Sequence, residues 1–121
     1  MDKKILISKT STIKQALKKL NVTGENCLLV VENNKLLGTL TDGDLRRSIL
    51  KGYDLKSNID KVYNKHPETI IDGDFKISDV GQVMITRKLD LIPIVDAENN
   101  VLNYLTWEQV FDNESKFNSK K

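Results

Sequence analysis

The feature that most constrains how this chain folds is an internal repeat. Ile7 and Ile71, Ile13 and Ile77, Leu20 and Met84, Leu28 and Ile92, and Val31 and Val95 all stand 64 residues apart. One turn is a residue longer in the second half, so Leu36 then pairs with Val101 and Thr41 with Thr106 at a spacing of 65. Agreement over most of each half marks a tandem duplication. A unit of strand, helix, strand, strand and helix closes a core poorly by itself. Two units packed through their sheets do so well, with pseudo-twofold symmetry and a cleft between them. The expected class is therefore α/β (α+β), each repeat a small three-stranded sheet with two helices.

The local signals agree with that unit. Residues 5–8 read as a strand, and Ile13, Ala16, Leu17 and Leu20 lie on one helical face, with Ser11 or Thr12 as cap and Gly24 just past the end. Cys27 to Val31 is an apolar run suited to a strand buried on both faces. Asn33-Asn34 suits a type I′ turn, because Asn tolerates left-handed backbone, so Leu36 to Thr41 returns antiparallel. A helix from Asp42 to Lys51 follows, stopped by Gly52. The second half repeats the order: Thr69 to Ile71 a strand, Ile77 to Met84 a helix face, Leu91 to Val95 a strand, Asp96 to Asn100 a turn, Val101 to Thr106 a strand, and a helix from Trp107. Between them, Tyr53 to Pro67 reads as a linker with a short helix. The expected boundaries are 1–58 and 59–113, with 114–121 a disordered tail or linker.

Composition narrows the function classes. A net charge of +2, with acids and bases interspersed, gives no reason to expect capture of nucleic acid or of an anionic membrane. No apolar run is long enough for a secretory segment or a membrane span, so a cytoplasmic protein is expected. A single cysteine, Cys27, rules out an intrachain disulfide, and a single histidine, His66 beside Pro67, reads as a loop residue. No metal site and no catalytic residue is expected: there is no P-loop, no dinucleotide-binding glycine fingerprint and no triad.

The stretch with most chemical content is Gly38-Thr39-Leu40-Thr41-Asp42-Gly43-Asp44-Leu45-Arg46-Arg47, where a strand meets a helix. Unpaired N–H groups and the helix dipole make such a junction hospitable to phosphate. Thr41 and Asp44 also form a capping box, which needs no ligand. The duplication supplies an internal control: Thr106-Trp107-Glu108-Gln109 keeps the box but replaces the carboxylate with an amide, and Gly38 and Thr39 become Asn103 and Tyr104. Capping is retained twice, the carboxylate once, so at most one carboxylate site per chain is expected. Arg47 lies on the same helix side as Asp44, either as a phosphate ligand or as a surface ion pair. Arg46 lies nearer the face of Leu45 and Ile49, taken as the core face.

The duplicated unit, the strand Ile92-Pro93-Ile94-Val95-Asp96 and the Gly38 to Leu45 stretch together resemble a CBS domain pair, or Bateman module, over residues 5–111. The form Gly-Thr-Leu-Thr-Asp-Gly-Asp-Leu-Arg-Arg is similar to pairs attached to sugar-phosphate nucleotidyltransferases and isomerases. The resemblance implies a non-catalytic regulatory module for an attached or partner enzyme, with AMP, ADP or another adenosine compound as ligand and no required cofactor. It implies that Asp44 accepts hydrogen bonds from the ribose hydroxyls, that Thr41 contacts phosphate, that Thr39 lines the same strand, and that the base sits against Leu91 and Ile92. Where many relatives carry a basic residue this chain has Asp90, which disfavours triphosphates. It further implies a homodimer through the helices, for which Leu50, Val110 and Phe111 offer apolar surface. A ligand-free dimerisation or interaction module is the second reading. The third is an aspartyl-phosphate phosphatase-like enzyme, because Asp42-Gly43-Asp44 resembles that D-x-D motif; Arg46 stands where it wants Thr or Val.

Overall fold

The computed structural model describes residues 1–112, so the tail expected at 114–121 lies outside the described residues. A 3-10 turn at Lys3–Ile5 leads into β1 (Leu6–Ile7), α1 (Ile13–Thr23), β2 (Cys27–Glu32), β3 (Lys35–Thr41) and α2 (Asp42–Leu50). After a linker containing a 3-10 turn at Ile59–Lys61 come β4 (Ile70–Ile71), α3 (Ile77–Arg87), β5 (Leu91–Val95), β6 (Val101–Thr106) and α4 over 107–112. Each repeat builds its own three-stranded sheet, ordered β1-β2-β3 and β4-β5-β6, with the first pair parallel and the second antiparallel. The mixed architecture is the one the duplication implies.

Elements match the sequence reading closely, with differences at their ends. Thr12, not Ser11, caps α1, in a reciprocal box with Gln15, and Gly24 closes the helix at φ 72°. Lys88, the repeat mate of Gly24, takes the same left-handed turn at φ 57° after α3. β1 is shorter than residues 5–8 because Lys3–Ile5 winds into the 3-10 turn, and α2 ends at Leu50 with Lys51 as cap. Both β2–β3 and β5–β6 carry a bulge at equivalent points, Val30/Val31 and Ile94/Val95. Duplication therefore extends to irregularities of the ladder.

Alternation along the strands divides the apolar residues into three cores. Leu28, Val30 and Leu40 point into the first repeat with Ile13, Ala16 and Leu45. Ile92 and Ile94 point into the second with Val80, Met84 and Val110. The opposite faces meet between the repeats, where Cys27, Leu29 and Leu36 pack with Leu91, Val95 and Val101. Burying a side chain of this size contributes about 1.5–3 kcal/mol, which makes the shared core the main cement between the halves. Two expectations fail here. Ile49 is 41% exposed and Ser48 takes the buried place, with its hydroxyl donating to Leu45 O (2.7 Å). Val110 is fully buried beneath α3 and Phe111 is half-buried, stacked on Trp107, so of the three residues suggested for a dimer contact only Leu50, at 80%, stands fully free.

The hairpin turns lock the halves together. Leu36 N donates to Asn99 O (3.0 Å) and Val101 N donates to Asn34 O (2.9 Å); the donors are repeat mates, as are the acceptors. The pseudo-twofold axis exchanges these two bonds. Asn33, Asn34 and Asn99 all adopt left-handed backbone there. The second turn is tied by Asp96, which accepts from Asn100 Nδ2 (3.0 Å), Asn100 N (2.9 Å) and Glu98 N (2.9 Å). These donors, the Asn100 side chain foremost, hold the Asp96 carboxyl below its ordinary 3.8. A depressed carboxylate contributes stability that is complete above the unfolded value and lost as pH falls through the folded one. An NMR titration is expected to place the Asp96 midpoint below 3.8 in the native protein and nearer 3.8 in Asn100→Ala. No helix among the described residues is long and apolar enough to cross a membrane.

Candidate functional site

α2 begins where β3 ends. Thr41 has extended backbone, and its hydroxyl accepts from Asp44 N (3.0 Å) while Asp44 Oδ2 accepts from Thr41 N (3.0 Å). The second carboxylate oxygen, Oδ1, accepts from Arg47 Nη2 (2.8 Å). Asp44 is enclosed, its side chain 19% exposed, whereas Arg47 is open at 64%. The guanidinium lies over Gly43, where an added Cβ would stand 3.2 Å from Nη1. Arg46 turns away to pair with Asp42. Thr41, Asp44 and Arg47 are thus held in one cluster by the first two turns of α2. A cavity of about 150 Å³ opens beside it, with Asp44, Arg47 and Lys51 on one wall and Tyr53, Lys61 and Val62 of the linker on the other.

Thr106 forms the same box in the second repeat: Thr106 N donates to Gln109 Oε1 (2.9 Å) and Gln109 N to Thr106 Oγ1 (3.2 Å). Amide and carboxylate cap equally well here. An ionised carboxylate keeps about four lone-pair sites on two oxygens, so Asp44 retains acceptor capacity after serving Thr41 and Arg47. The amide has one acceptor oxygen, already used by the cap.

The remaining candidates are distributed by strand alternation. Thr39 and Thr41 stand opposite Leu29 and Cys27 in the register, hence on the inter-repeat face, which Leu91 shares. Ile92 follows Leu91 directly and so points the other way, into the second repeat's core at 1% exposure. Placing Leu91 and Ile92 together against one ligand is therefore corrected: neighbouring residues in a strand cannot line the same face. Leu91 itself is 4% exposed and does not line the cavity beside Asp44. Thr39 is covered as well. The linker crosses β3, with Thr39 N donating to Asn64 O (3.0 Å) and Asn64 N to Thr39 O (2.8 Å).

A second cavity, about 320 Å³, lies between the repeats and is lined by Glu25, Asn26, Asp90, Thr106, Trp107 and Glu108, among others. Burial first, then the charges of Glu108 and Asp90, push the Glu25 carboxyl above its ordinary range. Burial and the negative charges of Asp44, Asp90 and Glu25 push the Cys27 thiol up to about 12, so it is unreactive. Apart from Asp90, the sequence reading missed these acids and the linker residues Tyr53 and Lys61. Each comes from a loop or helix end with no periodic or motif signal, and only folding brings them to the site.

Comparisons with known proteins agree with this geometry. Residues 1–51 match the CBS domain family. An uncharacterised protein of Methanocaldococcus jannaschii, MJ0188, is 33% identical over 88% of this chain and 39% of its own length. The arabinose 5-phosphate isomerase KdsD of Francisella tularensis is 30% identical over 84% of this chain and 31% of its own length. This chain thus spans well under half of either relative. Among solved structures, a CBS domain protein, NE2398, superposes with a TM-score of 0.82 at 19% identity, covering 91% of this chain and 87% of that one. CBSX2, solved in complex with AMP, gives 0.78 at 21% identity over 93% and 88%. The CBS domain pair of MJ0100, solved with 5′-methylthioadenosine and S-adenosyl-L-methionine, gives 0.77 at 23% identity over 96% and 89%. The first 51 residues carry the CBS domain pattern, and the chain as a whole has the fold of tandem CBS domains.

Proposed function

We propose that this chain is a regulatory module that binds an AMP- or ADP-like adenosine compound at Thr41 and Asp44, and transmits its presence to an attached or partner enzyme acting on sugar phosphates. The observation that carries the reading is the pair of matched capping boxes. Both close their helices, yet only Asp44 leaves a carboxylate with spare acceptor sites beside a cavity, as two vicinal hydroxyls require. The AMP in CBSX2, the methylthioadenosine and S-adenosyl-L-methionine in MJ0100, and the likeness to KdsD support the ligand class and the enzyme class. CBS domains are generally non-catalytic regulatory modules, and no catalytic role is assigned here. A ligand that touches both repeats favours one arrangement of them, which is what an effector must do. The acids around Glu25 and Asp90 favour fewer phosphates over more.

Calorimetry and thermal melting with AMP, ADP, ATP and S-adenosylmethionine test the proposal. Micromolar to millimolar binding of at least one compound is expected, with ATP weaker than AMP. Arg47→Ala is expected to weaken AMP about 3–10-fold and leave adenosine unchanged, because a partly exposed guanidinium contributes only modestly to a phosphate. Equal losses for both ligands would remove Arg47 from the phosphate. If no adenosine compound shifts the melting temperature, the interaction-module reading, with Leu50 exposed on α2, replaces this one.

A further inference from the structure

The two repeats differ in what covers the start of their first helix. In the first repeat the linker lies across it: Ile13 N donates to Ser57 O (2.9 Å), Lys14 N donates to Leu55 O (3.0 Å), and Ile59 N donates to Ser11 O (2.9 Å). Ile59 inserts fully into the core beside Ile7 and Ile13. The segment after α2 therefore does two jobs for α1. It supplies carbonyls to the first two helical N–H groups, which have no intrahelical partner, and it seals the apolar residues beneath them.

In the second repeat neither job is done. Ile71 and Ile77, the mates of Ile7 and Ile13, are 44% and 37% exposed, against 6% and 0%. Among the described residues, Ile77 N and Ser78 N, the mates of Ile13 N and Lys14 N, donate to no backbone or side-chain acceptor. The side-chain cap is missing too, since Lys76 replaces Thr12 and makes no capping bond. Phe75, in place of Ser11, fills part of the gap from within the second core. An apolar pair and two free donors thus coincide at the one place where the other repeat holds a segment of chain.

We infer that the β4–α3 face is the seat of an extended segment that follows α4, as Leu55–Tyr63 follows α2, with two backbone carbonyls on Ile77 N and Ser78 N and one aliphatic side chain against Ile71 and Ile77. The 65-residue offset puts the counterpart of Leu55–Tyr63 at positions 120–128, so only its first two residues fall within this sequence. The relatives MJ0188 and KdsD are longer than the region they share with this chain. A segment seated there would join whatever follows it to an element of the second repeat. Rearrangement of the repeats would then pull directly on the attached domain.

The test supplies the missing segment. A copy of Leu55–Tyr63 is appended so that its leucine stands at position 120, and the product is compared with the original chain by melting and by amide hydrogen exchange. The expected results are a melting temperature about 4–8 °C higher and exchange at Ile77 and Ser78 slowed at least about 10-fold. Both gains should vanish when the copied isoleucine is replaced by aspartate, or when Ile77→Asp is made in the extended chain. Ile77→Asp in the original chain should melt close to wild type, which shows that the side chain is dispensable until the face is covered. Unchanged exchange at Ile77 and Ser78 in the extended chain, or a gain that survives Ile77→Asp, overturns the inference. Slowed exchange accompanied by dimerisation on size exclusion assigns the seat to a second copy and overturns the assignment within one chain.

Discussion

Gly38→Ala is expected to destabilise the protein by about 3 kcal/mol, although the change adds a single methyl group. Gly38 does not occupy left-handed backbone, so conformational freedom is not the reason. The reason is approach: a Cβ on Gly38 would stand 2.0 Å from Asn64 O and 2.6 Å from the Tyr63 ring. The obstacle is backbone, held in place by the two Thr39–Asn64 bonds and by Tyr63, which is buried in the first core. Accommodation therefore requires breaking that bridge, at about 1 kcal/mol per bond, and lifting Tyr63 out of its packing. Urea denaturation measures the loss directly. Asn103→Ala, at the repeat mate, should change stability by less than about 0.5 kcal/mol, because Asn103 is exposed and no linker crosses it. A loss below about 1 kcal/mol for Gly38→Ala would mean that the linker is not seated on β3 as described.

Asp44→Asn should separate capping from ligand binding. Asparagine can accept from Thr41 N as Gln109 accepts from Thr106 N, so the helix start survives. What is lost is a surface ion pair with Arg47, worth a few tenths of a kcal/mol. Stability should therefore stay within about 0.5 kcal/mol of wild type. Affinity for AMP should fall about 30–100-fold, the effect of removing charge-assisted bonds of about 2–3 kcal/mol to the ribose. The reciprocal change, Gln109→Glu, should create no second site, since Tyr104 replaces Thr39 on that strand and Glu25, Asp90 and Glu108 crowd the entrance with negative charge. AMP binding unaffected by Asp44→Asn would move the ligand away from α2 altogether, whereas a large loss of stability would reduce Asp44 to a structural cap.

These two residues show where reading a sequence succeeds and where it stops. Asp44 was legible because the duplication offers its own comparison: one capping box with a carboxylate and one with an amide isolate the group that the cap does not need. Gly38 was legible only as part of a motif. Its structural duty depends on Tyr63 and Asn64, 25 and 26 residues further on, and nothing local to either stretch marks that crossing. Ile92 was misplaced for a related reason. A run of five apolar residues buried on both sides has no alternation to read, so which of Leu91 and Ile92 faces the other repeat is decided only by the register with β6.

By itself, then, the sequence determined the duplicated architecture, the element order and the capping chemistry at both helix starts. Those properties come from short-range periodicity and from a 64- to 65-residue offset that survives substitution. Only the tertiary structure decided which loops converge, that the linker closes the edge of β3 and the start of α1, and that the equivalent start of α3 stands uncovered. Such contacts join residues far apart in the chain through backbone groups and shape, and backbone carbonyls leave no trace in the identity of the residue that carries them.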